Sequence, residues 1–310
     1  MASPLASETD CVRVRASGKI NLALRVGAPE PDGYHPLATV FQAVSLFDEV
    51  EALPAPRGVR KVTVHGDQAS LVPTDASNLA LRAAEALAKY AGMRSPGVEL
   101  SLRKTIPVTG GMAGGSADAA AALIACATLW HIDVTPDELA VVAAGLGADV
   151  PFCLMGSTAL GRGRGDELVP MLSRGSYHWV LALPDVELST PEVFARFDEL
   201  NPDAGPARQT PPGLLSGLAS GDIALVADNL VNDLQPAAVS LQPHLADVLE
   251  AGLAAGALAG IVSGSGPTCA FLSENEDAAV RLSNALAGSD LARAVRRVCG
   301  PVPGARLLSA

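Results

Sequence analysis

Twelve consecutive residues, Pro107-Val108-Thr109-Gly110-Gly111-Met112-Ala113-Gly114-Gly115-Ser116-Ala117-Asp118, carry the plainest chemical signal in the chain. They lie between a strand-like run over 98–104 and a helix-like run over 117–130. Glycines let backbone turn tightly and come close to a ligand. The free N–H groups of a helix's first turn, backed by the macrodipole, then face an anion. The stretch therefore reads as a phosphate receptacle, with an ordinary strand-to-helix turn as its bland alternative. No G-K-[ST] follows the glycines, so it is not a Walker A loop. The G-x-G-x-x-G of a dinucleotide site is absent, as are the H-R-D and D-F-G elements of a protein kinase.

Two isolated charges qualify next. The chain has four lysines, Lys19, Lys61, Lys89 and Lys104, and arginine supplies most other positive charge. Lys19 sits between apolar neighbours, either as a snorkelling surface lysine or as a functional cation. Asn21 follows two residues later, so on a strand both side chains share a face. Asp149 precedes Pro151 in an apolar run, as a solvated helix-end carboxylate or a general base. Tyr34 and His35 follow a turn-forming Asp-Gly, where an aromatic could simply pack the loop. Phe194 is at once a good core residue and a possible stacking platform. Arg162 and Arg164 sit in a glycine-spaced turn, as solvated charges or diphosphate contacts.

Composition narrows the classes. The 310 residues carry a net charge of −11, against general nucleic-acid binding but not against a small nucleotide ligand. No apolar run reaches the roughly 18–20 residues of a membrane span. The opening residues 1–8 lack the basic and apolar regions of a signal peptide, so a cytoplasmic protein is expected, with residues 1–10 as a loose tail. Five cysteines without a C-x-x-C pair suggest neither a disulfide framework nor a zinc site, and Cys126, Cys153 and Cys269 are expected as core thiols.

The elements that must position these residues alternate. Strands are expected over 12–16, 20–26, 41–46, 60–64, 98–104, 152–160 and 177–183. Helices are expected over 77–90 with Ser77 as cap, over 117–130, from Pro136 behind a Thr135 cap, and over 190–200. Residues 201–213 read as loop. Two or three helices follow, then a glycine turn within 260–272, a helix from Glu276 and a closing segment over 295–308. The pattern predicts an α+β or α/β protein, with a boundary near 160–175.

The loop P-x-x-x-G-[LM]-x-[GS]-[GS]-S-[AS] resembles the phosphate loop of the GHMP kinases, with Met112 at the usual leucine. Gly18-Lys19-Ile20-Asn21-Leu22 is similar to that family's first motif and Val262-Ser263-Gly264-Ser265-Gly266-Pro267-Thr268 to its third. One glycine loop is weak; three motifs in the family's order are strong. Asp32-Gly33-Tyr34-His35, Asn78-Leu79, Gly147-Ala148-Asp149-Val150-Pro151 and Asn232-Asp233-Leu234 resemble the branch that acts on a CDP-linked methylerythritol of the non-mevalonate isoprenoid pathway.

That resemblance implies an α+β, two-domain GHMP kinase fold. Residues 11–170 would form a β-sheet and helix domain, and residues 171–310 a ferredoxin-like domain. It implies ATP on the loop 107–117, Mg2+ with Ser116 as the one nameable contact, and the Gly264-Ser265-Gly266 turn beside the phosphates. Asp149 would take the proton of the acceptor's 2-hydroxyl, Lys19 would stabilise charge, and Asn21 would bond the acceptor. Tyr34, His35 and Phe194 would hold the cytosine. The expected partner is a small molecule, with no nucleic acid or membrane, and the protein a monomer or weak homodimer. The rivals are a GHMP kinase acting on homoserine, mevalonate or a sugar, and a nucleotide-binding regulator without catalysis.

Overall fold

Residues 11–308 are described by a computed structural model; the tail expected over residues 1–10 lies outside them. In chain order the elements are β1 (Val12–Val26), β2 (Leu37–Ala55), β3 (Arg60–Gly66), α1 (Leu79–Tyr90), β4 (Gly97–Lys104), α2 (Gly114–Leu129), α3 (Pro136–Ala144), α4 (Val150–Met155), β5 (Thr158–Arg162) and β6 (Glu167–Pro170). The second half contributes β7 (Tyr177–Leu183), α5 (Thr190–Leu200), α6 (Pro212–Ser220), α7 (Ile223–Asp228), β8 (Val231–Asn232), α8 (Gln235–Leu241), α9 (His244–Ala254), β9 (Ala259–Val262), β10 (Cys269–Ser273), α10 (Glu276–Ala287), β11 (Ala294–Gly300) and β12 (Arg306–Leu307).

The first sheet runs β12-β1-β2-β4-β3, with β5 and β6 continuing from β2 and the short β8 lying parallel to β1. The second is an antiparallel sheet in the order β11-β7-β10-β9. Numbered by their own sequence, those strands run 4-1-3-2, with α10 connecting the third to the fourth. That is the ferredoxin-like arrangement. The Trp179 indole N–H donates to Gln42 Oε1 at 3.0 Å and ties the two sheets together.

Several local expectations are corrected. The strands expected over 12–16 and 20–26 are one, because a register shift at Ser17/Gly18 absorbs the break in alternation without ending the pairing with β2. Residues 150–155, expected as the start of a strand over 152–160, are helical. The run Val-Pro-Phe-Cys-Leu-Met does not alternate, Pro151 suits a helix's first turn, and Gly156 at φ 66° stops it before β5. Asn78, rather than Ser77, caps α1, accepting from the N–H groups of Ala80 and Leu81. Helix α2 starts at Gly114, three residues early, because Ala113 already holds the left-handed conformation that turns the chain into it. Four helices, α6 to α9, occupy the stretch expected to hold two or three.

Helix α2 is buried nearly all round; Ala117, Ala119, Ala120, Ala121 and Ala122 are fully inaccessible. Alanine permits this, since its small side chain lets a helix approach the sheet and α1 closely while keeping high helix propensity. Among the described residues no helix is long and apolar enough to cross a membrane. Cys126, Cys153 and Cys269 are buried, and burial pushes each thiol up, Cys126 and Cys269 to about 12. They are core thiols.

Candidate active site

The three motifs, distant in sequence, interlock through backbone. The Lys19 N–H on β1 donates to the Met112 carbonyl of the glycine loop at 3.1 Å. The Ser263 hydroxyl, from the turn between β9 and β10, donates to the Gly111 carbonyl at 3.1 Å. Gly111 has φ 72°, and a Cβ there would overlap the Ser263 carbonyl. Only glycine meets both conditions. Thr109 and Ala113 also adopt left-handed backbone, φ 57° and 60°. These alternations curl the loop before α2, whose first-turn N–H groups at Gly114, Gly115 and Ser116 have no partner within the helix. Ser116 is half-buried in that turn.

Lys19 is 5% exposed. Its Nζ donates to Asn21 Oδ1 at 2.8 Å, lies 5.3 Å from the centre of the Phe41 ring and stands 3.8 Å from Asp149 Oδ2. Asn21 Nδ2 in turn donates to Thr39 Oγ1 at 2.8 Å, and that hydroxyl donates to the Ala23 carbonyl at 2.7 Å. The relay fixes the lysine head from below. The Asp149 side chain is one-third exposed and makes no capping bond to α4, although it stands at that helix's N-terminus. Its carboxylate is thus held by Lys19 on one side and reachable on the other. Lys19 and Asn21 share a face as their spacing suggests, Asp149 joins them as the resemblance implies, and Thr39 is an addition. Its signal is a buried hydroxyl beside Asn21 on the neighbouring strand, which needs the strand register to be seen.

A second buried cluster lies beneath the loop. Lys104, the last residue of β4, pairs with Asp48 of β2 and with Asp118 of α2, the latter at 2.6 Å. Asp48 Oδ1 also accepts the N–H groups of Thr105 and Ile106, at 2.6 and 2.9 Å. Burial pushes Asp118 up to about 8 against the pull of Lys104, with Asp48 adding to the rise. Burial also works against the Lys104 charge, but Asp118 and Asp48 together outweigh it and hold its pKa above the ordinary lysine value. The cluster fastens both ends of the loop, β4 before it and α2 after it, to β2.

A cavity of about 200 Å³ opens beside this cluster, lined among others by Leu71, Pro73, Asn78, Lys104, Thr109 and Asp118. Another, of about 260 Å³, separates Val108, Thr109 and Gly110 from Pro184, Asp185, Glu187 and Thr268. The loop is therefore flanked on both sides by space.

The turn 263–268 is steadied from the second half of the chain. Asn232 Nδ2 donates to the Val262 and Gly264 carbonyls, both at 2.8 Å, and Ser265 Oγ lies 2.8 Å from Thr190 Oγ1. A Cβ on Gly264 would stand 3.4 Å from Lys19 Nζ, which brings this turn against the lysine as well as the loop. Gly266, at φ 83°, completes the turn. Asp233 pairs with Arg25 at 2.8 Å and accepts the Val26 N–H, locking the segment to β1.

His35 and Phe194 come together away from the lysine, while the Tyr34 ring packs against Arg164. His35 Nε2 is 2.9 Å from Asp198 Oδ1, and its ring centre lies 4.9 Å from that of Phe194 on α5. Phe194 is half-buried at the margin of the second core. Tyr34 is 54% exposed, with the Arg164 guanidinium 3.7 Å from its ring centre. Asp198 and Arg164 were not among the expected site residues.

Among the described residues no group of three or more His, Cys, Asp or Glu could hold a metal. Oxygen donors near the loop include the Ser116 hydroxyl in the first turn of α2 and, across the cavity from Val108, Asp185 and Glu187. Donors so scattered suit a magnesium ion carried by phosphates rather than a metal caged by the protein.

Comparison with known proteins agrees with this geometry. The GHMP kinases N terminal domain pattern matches residues 78–157 and the GHMP kinases C terminal pattern residues 214–290. The 4-diphosphocytidyl-2-C-methyl-D-erythritol kinase of Rhodococcus jostii is 56% identical over 299 residues, covering 96% of this chain and 95% of that protein. The protein of the same name from Mycobacterium tuberculosis is 52% identical over 303 residues, covering 97% and 94%. A crystal structure of a 4-(cytidine 5'-diphospho)-2C-methyl-D-erythritol kinase superposes with a TM-score of 0.76 at 33% identity, covering 93% of this chain and 98% of that one. Homoserine kinase from Cytophaga hutchinsonii shares the fold at a TM-score of 0.76 and 22% identity. The chain belongs to the 4-diphosphocytidyl-2-C-methyl-D-erythritol kinase family of the GHMP kinases and is an ATP-dependent small-molecule kinase.

Proposed function

We propose that the protein transfers the γ-phosphoryl group of ATP to the 2-hydroxyl of 4-diphosphocytidyl-2-C-methyl-D-erythritol. The observation that carries this reading is Lys19 Nζ, buried against Asn21 and 3.8 Å from a reachable Asp149 carboxylate, at the meeting of two glycine turns. The loop 107–117 receives the triphosphate on first-turn N–H groups, supported by the Gly264-Ser265-Gly266 turn. The cavity beside Asn78 and Lys104 takes the nucleoside end. Residues 11–170 carry the loop and Asp149, and residues 171–310 carry the second turn and Phe194.

Phosphoryl transfer needs positioning and charge stabilisation more than covalent chemistry. Asp149 accepts the proton of the acceptor hydroxyl as that oxygen attacks the γ-phosphorus. The new P–O bond forms as the bond to the β–γ bridging oxygen breaks, and ADP leaves with that electron pair. Lys19 orients Asp149 and offsets negative charge on the transferring group. Asn21 positions the acceptor hydroxyl. Ser116 would contact an Mg2+ ion carried by the phosphates, and such an ion would neutralise charge on ATP.

The acceptor's base is held by Tyr34, His35 and Phe194. His35 is held against α5, whereas Lys19 is held against the two glycine turns. Support from different elements favours an elongated acceptor whose recognised group and reacting hydroxyl lie at opposite ends. An ADP-release assay with the CDP-linked methylerythritol beside mevalonate and homoserine tests the reading. Turnover with the CDP-linked substrate alone is expected; preference for either of the others would overturn it.

A further inference from the structure

Tyr34 and His35 are adjacent in sequence but held from opposite sides. His35 is gripped by Phe194 and Asp198 of α5. Tyr34 is gripped by the turn between β5 and β6, whose apex residue is Arg164. That turn is itself fixed: Gly163 at φ 63° and Gly165 at φ 96° shape it, the Gly165 N–H donates to the Arg162 carbonyl at 2.8 Å, and the Leu37 N–H donates to the Gly163 carbonyl at 2.7 Å. Arg164 Nη2 donates to Asp32 Oδ2 at 2.7 Å while its guanidinium lies over the Tyr34 ring at 3.7 Å. The other oxygen of Asp32 accepts the Tyr34 N–H at 3.0 Å. One carboxylate thus anchors both the backbone and the stacking partner of the same tyrosine. The Tyr34 N–H and Arg164 together hold the Asp32 carboxyl below its ordinary value, so it stays ionised for both.

We propose that Arg164 is a positioning residue for acceptor recognition: stacked on one face of Tyr34 and tied to Asp32, it fixes the ring and leaves the opposite face to receive a planar base. This rests on the reading of Tyr34 as a base platform. An exposed tyrosine otherwise samples several rotamers, and a ring already held in place loses less freedom when a base stacks on it. A guanidinium suits the role because it is planar and keeps its charge while stacking, whereas an ammonium has no face to stack. Asp32-Gly33-Tyr34 and Arg164 then form one device, in which the carboxylate aligns the backbone, glycine at φ 83° makes the turn and arginine aligns the ring.

The test uses cytidine and CDP as competitors of the CDP-linked acceptor. Arg164→Met keeps the aliphatic stem and, at a half-exposed position, leaves folding intact. It is expected to weaken inhibition by cytidine and by CDP equally, by about fivefold, and to raise the acceptor KM likewise, with the ATP KM within about twofold of wild type. Arg164→Lys should fall between. In a Tyr34→Leu background the same Arg164→Met change should add nothing, because no ring remains to be held. A loss confined to CDP, or one that persists without Tyr34, would assign Arg164 to the diphosphate instead and overturn the proposal. Unchanged inhibition would overturn it too. Failure of CDP to compete with the acceptor in the wild-type enzyme would remove the base-platform reading itself, a separate outcome.

Discussion

The two ends of the site are held by opposite means. At the phosphate end the supports are buried: Asp48 is fully inaccessible, Lys104 and Asp118 are each 3% exposed, and the glycine turns lock carbonyl against hydroxyl with no space for a side chain at Gly111. At the acceptor end the supports of Tyr34 are side chains on exposed loops, with Tyr34, Arg164 and Asp32 all about half open to water, while the neighbouring His35 side chain is nearly buried against Phe194 and Asp198 of α5. Buried charge tolerates no partial substitution, because removing one partner strands the others. Exposed pairs contribute about 0–1 kcal/mol each and can be exchanged singly. In the proposed function, the chemistry is then built where geometry cannot drift, and recognition of the base at Tyr34 where side chains can be retuned.

Breaking the phosphate end should have the larger effects. Asp149→Asn keeps the shape of the carboxylate but removes the base, and turnover should fall by about 10²–10⁴-fold with ATP binding nearly intact. Single-turnover kinetics beside an ATP titration would check this, and turnover within about tenfold of wild type would remove Asp149 from the role. Lys104→Met should destabilise the fold by about 3–5 kcal/mol, since two carboxylates then share a buried site without a cation. Urea unfolding would read that loss. At the acceptor end, Tyr34→Leu should weaken CDP by about 1–3 kcal/mol of lost stacking while the ATP KM holds.

The buried cluster also makes stability depend on pH. Asp118 has a folded value of about 8, above the ordinary aspartate value of about 3.9. The folded state therefore holds its proton more tightly than the unfolded chain. The stability so contributed is fully present below about pH 3.9 and is lost as pH rises towards about 8. Asp118→Asn should flatten the fall in Tm across that range, and a slope unchanged from wild type would place the proton elsewhere.

Much of this was legible in the sequence because each motif has its own backbone demands. Glycines at 110, 111, 114 and 115, followed by a helix, announce a phosphate loop, and strand periodicity puts Asn21 beside Lys19. Tyr177–Leu183 and Thr190–Leu200 fall where alternation and capping place them. Residues 150–155 were misread because an apolar run of that length suits strand or buried helix equally, and the stop at Gly156 decides only in three dimensions. Lys104 stood out as a rare lysine, but its partners Asp48 and Asp118 lie 56 and 14 residues away, and no spacing rule joins them. Asp198 was missed for the same reason, and Arg164, read as a solvated charge or a diphosphate contact, was not connected with Tyr34. Their meaning comes from ring faces and tautomers that a linear chain does not display.

The central claim, that phosphoryl transfer and acceptor choice belong to separate ends of one site, is tested most directly by CDP inhibition of the wild-type enzyme against both substrates. The account predicts that CDP raises the apparent KM of the acceptor and leaves that of ATP unchanged. Competition with ATP, or no inhibition at all, would contradict it.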